Sequence, residues 1–222
     1  MAPKLITMLT NNDETVGDAE DVFRACADLP CSCWGFKDVG LPLPRMKDLV
    51  ATMKSAGKTT FLEVVTLAEG DGLAGARLAI DCGFDYLMGT VYYPSIGALF
   101  ASSATKYFPF CGKVSGHPSI LEGSPAAIAA DAARLVAAGA AGVDVLAYRN
   151  KADPELVAAA VVRALKAPVV VAGSIDSFAR VDAMKRLDPW GFTIGTALFQ
   201  GRFGPDESFR GQLAAVLAHL SK

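Results

Sequence analysis

The sequence predicts an α/β fold, a single (β/α)8 TIM barrel that occupies residues 1–222. Short apolar runs of strand length alternate with stretches of helical period from Lys4 to Leu220, in eight successive pairs. Several of these runs are apolar at nearly every position, as strands of a parallel sheet are. Pro168–Ala172 contains no charged residue, and Phe61–Val65 contains one, Glu63. Eight units leave about 28 residues each, close to the minimum for a strand, a covering helix and two loops, so an insertion domain has no room.

The elements follow from these patterns in chain order. The predicted strands are Leu5–Thr10, Cys33–Val39, Thr60–Thr66, Tyr86–Thr90, Tyr107–Gly112, Val143–Tyr148, Val169–Gly173 and Phe192–Gly195. Helices are predicted near residues 16–28, 44–56, 72–82, 94–104, 125–138, 154–166, 177–187 and 207–220. Ser124-Pro125 and Asp153-Pro154 each place a capping side chain before a proline at the first helical position. An open doubly wound sheet is the main alternative, but it favours a glycine-rich loop after the first strand, where this chain has Thr10–Asp13.

The overall charge disfavours several classes of partner. Twenty-one Lys and Arg against 23 Asp and Glu give a net charge of −2, so we expect no nucleic-acid partner. The longest apolar stretch, Ala126–Tyr148, is interrupted by charged residues, so no membrane span is expected. Five scattered cysteines are typical of reduced thiols in a cytoplasmic protein. The Ala- and Leu-rich helices could cover the barrel or pack against a second subunit of a homo-oligomer.

The last two predicted strands end in residues that suit an anion. The active face of a barrel is its C-terminal rim, so residues that end strands carry the chemistry. Gly173-Ser174 follows the seventh strand and Gly195-Thr196 the eighth, and Thr196–Phe199 can form a short helix. Glycine lets backbone N–H groups approach an anion closely, and a helix N-terminus attracts one. We therefore predict a phosphate-binding site at Gly173, Ser174, Gly195 and Thr196. The plain alternative is that these glycines only allow tight turns.

At these residues the chain resembles the ribulose-phosphate-binding barrel superfamily, which includes phosphoribosyl isomerases, orotidine monophosphate decarboxylase and sugar-phosphate lyases. The specific match is confined to Ala172–Ser174 and Ile194–Phe199. The resemblance implies a small phosphorylated substrate but names no reaction. The decarboxylase family spaces its charges as Asp-x-Lys-x-x-Asp, and Gly35 and Gly40 stand at the acidic positions around Lys37, which disfavours that chemistry.

Two charges inside apolar strands mark the reacting end. Lys37 lies in the second strand and Glu63 in the third. A lysine directed into the barrel mouth needs either a partner or a depressed pKa, and such lysines serve as bases or imine-forming nucleophiles. Adjacent strands can bring Lys37 and Glu63 together as an acid/base pair. A structural ion pair that fills the barrel interior is the alternative.

Four further residues are candidates for substrate contact. Lys113 and His117 lie in the long fifth loop, which could cover the substrate, whereas Thr90 and Arg149 end the fourth and sixth strands. Loop solvation and rim packing would explain them equally well. With two histidines in the chain, a histidine-rich metal site is not expected, and no cofactor is predicted, although an oxygen-ligated Mg²⁺ stays open.

These features predict an enzyme that acts on a small phosphorylated sugar or keto acid, as an aldolase-like lyase or an isomerase, with Lys37 as base or imine-forming nucleophile and Glu63 as its partner. A regulator that senses a phosphate ester without turnover is the alternative, because Leu62–Gly70 and Asp85–Thr90 loosely resemble glycerol-3-phosphate-responsive antiterminators. A barrel enzyme with an unphosphorylated substrate is the third hypothesis.

Overall fold

The computed structural model describes residues 3–116 and 118–222, and it shows an α/β barrel of eight parallel strands. The barrel strands are β1 (Lys4–Met8), β2 (Cys33–Lys37), β3 (Thr59–Val64), β4 (Tyr86–Gly89), β5 (Lys106–Phe108), β6 (Val143–Val145), β7 (Val169–Val171) and β8 (Gly191–Ile194). The helices are α1 (Ala19–Cys26), α2 (Leu43–Ser55), α3 (Glu69–Asp81), α4 (Pro94–Phe100), α5 (Pro125–Ala137), α6 (Pro154–Ala164), α7 (Phe178–Leu187), α8 (Thr196–Phe199) and α9 (Phe209–Leu220). The predicted fold class is therefore confirmed.

The barrel is nearly closed, with its seam between β5 and β6. Neighbouring strands pair in parallel from β6 through β7, β8 and β1 to β5. Pro109, which has no N–H to donate to a ladder, directly follows β5 and ends that strand early. One bridge, Phe110 with Asp144, then joins the two edges. The predicted fifth and sixth strands are accordingly shorter than expected, and β6 is followed by a 3-10 turn at Ala147–Arg149.

Two small β-hairpins lie in the loops at the C-terminal end of the barrel. Thr10–Asn11 pairs with Glu14–Thr15 in the first hairpin, and Lys113–Ser115 pairs with Ile120–Glu122 in the second hairpin. The second hairpin replaces most of the open fifth loop that the sequence predicted. Predicted helix starts are confirmed where the cap is strong: the Ser124 side chain accepts the Ala127 N–H, and the Asp153 side chain accepts those of Glu155 and Leu156.

Aromatic and apolar side chains fill the lower barrel interior. Phe61 stacks on Tyr86 with ring centroids 4.6 Å apart, and Trp190 contacts both Phe61 and Phe108. Ile6, Met8, Cys33, Met88 and Val170 complete this inner core. A larger outer core packs the strands against the helices. Because side chains alternate along a strand, the next inward-facing layer toward the C-terminal end contains Lys37, Glu63 and Asp144.

Helices in the two described ranges are all too short or too polar to cross a bilayer.

Candidate active site

A cavity of about 430 Å³ opens at the C-terminal end of the barrel. This is the end at which TIM-barrel enzymes have their active sites. The cavity lies above the apolar interior and among the loops that follow the strands. The wall includes seven residues predicted from the sequence: Lys37, Glu63, Arg149, Gly173, Ser174, Gly195 and Thr196. The structure thus brings both predicted ends of the site into one space.

Lys37 ends β2 and is 93% shielded from solvent, with 7% of the residue exposed. It pairs in register with Glu63 of β3, so both side chains point to the barrel interior. The ion pair of Lys37, however, is with Asp13, whose Oδ1 lies 2.8 Å from the lysine Nζ. The predicted pair is therefore a three-residue cluster in which Asp13 supplies the direct contact and Glu63 a nearby charge.

The first hairpin places Asp13 over Lys37. Its two turn residues, Asn12 and Asp13, have φ angles of 50° and 67°, the left-handed values that a two-residue hairpin turn requires. Asn and Asp tolerate this conformation better than other non-glycine residues. The Thr15 hydroxyl donates to the carbonyl of Lys37 at 2.8 Å and accepts the Lys37 N–H at 2.9 Å, which fixes the hairpin to the end of β2.

These contacts determine the protonation state of Lys37. Burial alone would lower its pKa, but the carboxylates of Glu63 and Asp13 raise the pKa above its ordinary value. Of the two states that the sequence left open, a partnered ammonium or an amine with a depressed pKa, the structure has the first. At neutral pH Lys37 therefore carries a positive charge inside the barrel.

Asp144 is a buried acid that the sequence interpretation missed. It lies on β6 between Val143 and Val145, which face the outer core, so its side chain faces the interior. It is 0% exposed, and neither carboxyl oxygen has a hydrogen-bond partner among the residues that the structure describes. Burial and the charge of Glu63 raise its pKa well above the ordinary value, against the opposing effect of Lys37. A charge within an apolar strand, the signal that identified Lys37 and Glu63, was also present here.

The loop after β7 makes the second part of the cavity wall. Gly173 and Ser174 have φ angles of 86° and 58°, so the chain turns sharply at the end of the strand. Arg180 of α7 donates to the Ser174 carbonyl and to Asp176 Oδ1, the latter at 2.8 Å, and so holds the turn against the helix. A Cβ on Gly173 would lie 3.0 Å from Cγ of Arg149, so glycine at this position also makes room for that side chain.

The loop after β8 packs against the first hairpin. A Cβ on Gly195 would lie 2.9 Å from the carbonyl oxygen of Thr10. Glycine at this position therefore allows the two backbone segments to approach closely. The Thr196 hydroxyl accepts the N–H of Asn12 at 3.1 Å. Gly195 and Thr196 both line the cavity. The predicted short helix that begins at Thr196 is confirmed as α8.

Guanidinium groups add positive charge to this cavity. Arg149 lines it and also a smaller adjoining space of about 40 Å³, which Lys37 and Glu63 border from the other side. Arg202, which follows α8 and was not singled out from the sequence, lines the large cavity beside Thr196. Arginine presents five donors in a planar fork that suits phosphate and carboxylate groups.

Two residues proposed for substrate contact, Lys113 and Thr90, lie outside the cavity wall. Lys113 lies on the exposed second hairpin and forms an ion pair of 2.6 Å with Glu122, because the two residues are directly paired across its strands. Thr90 is buried with its hydroxyl bonded to that of Tyr107, so it packs the wall between β4 and β5. His117 lies outside the described residues, although its neighbour Pro118 lines the cavity.

Within residues 3–116 and 118–222, no three side chains among His, Cys, Asp and Glu are grouped so that they could hold a metal ion.

Comparison with known proteins finds likeness in structure alone. No family model matches the chain, and no curated protein does. Among solved structures, the BexX/CysO complex of Amycolatopsis orientalis is 19% identical with a TM-score of 0.64, over 99% of this chain and 90% of that one. Ligand-free tryptophan synthase from M. tuberculosis is 14% identical with a TM-score of 0.69, over 100% of this chain and 94% of that one. A mandelate oxidase is 17% identical with a TM-score of 0.67, over 99% and 72%. These likenesses establish the TIM-barrel fold of the chain.

Proposed function

We propose that this protein is an enzyme of the ribulose-phosphate-binding type that acts beside the carbonyl of a small phosphorylated sugar or keto acid, as an aldolase-like lyase or an isomerase. One observation carries the proposal. The ion pair of the buried Lys37 with the partly exposed Asp13, the nearby Glu63, and the glycine turns after β7 and β8 border the same cavity of about 430 Å³. A substrate anchored at one end would thus present its reactive carbon at the other.

The phosphate end consists of backbone and cations together. Gly173, Ser174, Gly195 and Thr196 line one side of the cavity, with Arg149 and Arg202 beside them. The tight turn at Gly173-Ser174 is held from behind by Arg180. A preformed turn binds an anion without a further entropic cost of ordering, and fixed guanidinium donors add charge-assisted hydrogen bonds.

At the reacting end, Lys37 and Glu63 divide the acid and base roles. An ammonium beside a substrate carbonyl stabilises the negative charge that grows on its oxygen when a proton or a carbon–carbon bond is lost from the adjacent carbon. Glu63 lines the cavity beside Lys37 and can accept that proton, either from carbon in an isomerase or from hydroxyl in a lyase. Asp13 holds the Lys37 side chain in place.

An imine route uses the same residues in another order. Lys37 first gives one proton to a neighbouring carboxylate, and its free amine then attacks the carbonyl carbon. The carbinolamine that forms loses water to give the imine. Since Asp13 and Glu63 favour the charged form of Lys37, this route begins with an uphill proton transfer.

The first test measures binding by calorimetry of phosphorylated sugars and phosphorylated keto acids beside their unphosphorylated counterparts. The proposal expects binding of at least one phosphate ester and loss of at least tenfold in affinity without the phosphate. Equal affinity for the unphosphorylated compounds would contradict it and favour a substrate without phosphate.

The second test separates an enzyme from a sensor. Any ester that binds is incubated with wild type, Lys37→Met and Lys113→Met, the last being a matched control because Lys113 lies outside the cavity. Turnover that is lost in Lys37→Met alone supports the enzyme, and borohydride trapping of substrate mass on Lys37 supports the imine route. Binding without turnover, together with affinity for RNA, would favour the regulator.

A further inference from the structure

The interior layer beneath the cavity contains one group that the mechanism above does not use. Asp144 is fully buried, and within residues 3–116 and 118–222 both of its carboxyl oxygens lack a hydrogen-bond partner. Buried polar groups are nearly always paired, so an unpaired carboxyl in a barrel interior needs a reason. An ionised carboxylate in this position would have no donor from the described residues to offset its charge.

The charged groups that face Asp144 come from three directions. Glu63 of β3 acts on it with a like charge and Lys37 of β2 with an opposite one. Cys111, beyond the end of β5, is a buried thiol whose pKa is raised mainly by its own burial. The Nζ of Lys37 is bonded to Asp13 at 2.8 Å, and among the described residues it forms no hydrogen bond with Asp144.

The seam of the barrel positions this acid. The bridge between Phe110 and Asp144 is the one that joins the two edges, and Cys111 N–H donates to the Asp144 carbonyl at 3.1 Å. The backbone at residue 144 is therefore fixed from both sides by the sheet. Its side chain faces the barrel interior, as that of Glu63 does, and is fully buried.

We propose that Asp144 is a positioning residue that holds a proton at neutral pH, and that Asp144 and Glu63 carry one negative charge between them. Of two neighbouring carboxyl groups, the fully buried one ionises less readily than the one with access to the cavity, which keeps the charge. Glu63 lines the cavity and Asp144 does not, which assigns the charge to Glu63 and the proton to Asp144.

In the reaction, a role that rests on the proposed function, Asp144 acts through Glu63. When Glu63 takes a proton from substrate, the negative charge moves to the substrate oxygen beside Lys37. Because Asp144 is protonated, it adds no carboxylate charge to that of Asp13, which is already paired with the lysine. When Glu63 returns its proton to the product, the original single charge is restored, so protons balance over the cycle.

The experiment needs no substrate, because it follows the carboxyl groups of the free protein. Infrared spectra with carbon-13-labelled aspartate are recorded as a function of pH on wild type, Asp144→Asn, Asp176→Asn and Glu63→Gln. Asp176 is the matched control, since it lines the same cavity but is paired with Arg180. The expected result is a protonated-aspartate band at pH 7 that is absent in Asp144→Asn and present in Asp176→Asn.

The coupling is tested by the remaining variant. In Glu63→Gln the like charge is gone, so the Asp144 band should disappear at a lower pH than in wild type. A band that is absent from wild type at pH 7, or one with the same titration midpoint in Glu63→Gln, would overturn the proposal. If Asp144→Asn does not fold, Asp144→Leu takes its place to assign the band, which distinguishes Asp144 from Asp38, another aspartate whose pKa burial and Glu63 raise. Failure of phosphate esters to bind would refute the proposed function and leave these spectra unaffected.

Discussion

The Nζ of Lys37 lies 2.8 Å from the Oδ1 of Asp13, although 24 residues separate the two along the chain. The contact joins the end of β2 to the turn of the first hairpin, and it gives a buried lysine the counter-charge it needs. The functional meaning of Lys37 depends on this pair, because it fixes both the charge and the position of the amine.

Replacement of Asp13 by Asn should lower the pH at which Lys37 loses its proton. One of the two carboxylates that raise the Lys37 pKa is removed, whereas the burial that lowers it remains. Reductive methylation with carbon-13 and NMR titration of the Lys37 methyl signal would measure this change. An unchanged titration would show that Glu63 alone keeps the lysine charged, and Asp176→Asn provides the control.

Replacement of Asp144 by Leu should stabilise the folded protein at neutral pH by about 1–3 kcal/mol, the usual cost of an unsatisfied buried polar group. The test is urea unfolding of the variant and wild type. A variant that is clearly less stable than wild type at neutral pH would show that the carboxyl has a partner in solution.

Ionisation of Asp144 should make wild-type stability decrease as the pH rises through the folded-state pKa of this carboxyl group. The Asp144 pKa is raised on folding, so its contribution to stability is complete below the ordinary value of 3.8 and is lost as the pH rises through the folded-state pKa. The difference in unfolding free energy between Asp144→Leu and wild type should therefore grow with pH over that window. A difference that is constant between pH 4 and pH 8 would contradict the raised pKa.

Replacement of Gly173 by Ala should weaken phosphate-ester binding at least tenfold and also destabilise the protein. The residue has a φ of 86°, and the added methyl would meet Arg149 at 3.0 Å. Gly57→Ala is the matched control, because it has a φ of 71° with open space around it and lies far from the cavity wall. If both variants bind the ester as wild type does, the turn after β7 is not an anion site.

Replacement of Phe61 by Ala should cost roughly 3–5 kcal/mol of stability, as large-to-small changes in a packed core do. The ring is 0% exposed and stacks on Tyr86 at 4.6 Å in the lower barrel interior. Chemical unfolding measures the loss. A loss below about 1 kcal/mol would indicate that Trp190 and Phe108 can close the gap.

The order of strands and helices was predictable because it is local. Continuous apolar runs, helical periodicity and caps such as Ser124 and Asp153 act within a few residues, and the structure confirms all eight strands. Strand ends were less accurate. The sequence extended the fifth strand through Pro109 to Gly112, whereas the ladder ends at Phe108, because proline cannot donate to it.

The candidate site was only partly predictable. Lys37 and Glu63 were found because charges are rare inside apolar strands, and the same argument should have found Asp144. The partner of Lys37 could not be found this way, since Asp13 lies in a polar loop where an acidic residue is ordinary. Lys113 was chosen for its loop and proved to be paired with Glu122 across a hairpin that local pattern did not indicate.

By itself, the sequence determined that the chain forms eight strand–helix units and that two strands carry an inward charge, because these properties follow from the spacing of apolar and charged residues. Only the tertiary structure decided that Asp13 neutralises Lys37, that Asp144 has no hydrogen-bond partner among the described residues, and that Arg149 and Arg202 line the same cavity. Closing the barrel brings together residues far apart in the chain, and it removes the water that would otherwise screen their charges. The charge state and the roles of these residues are therefore properties of the closed barrel.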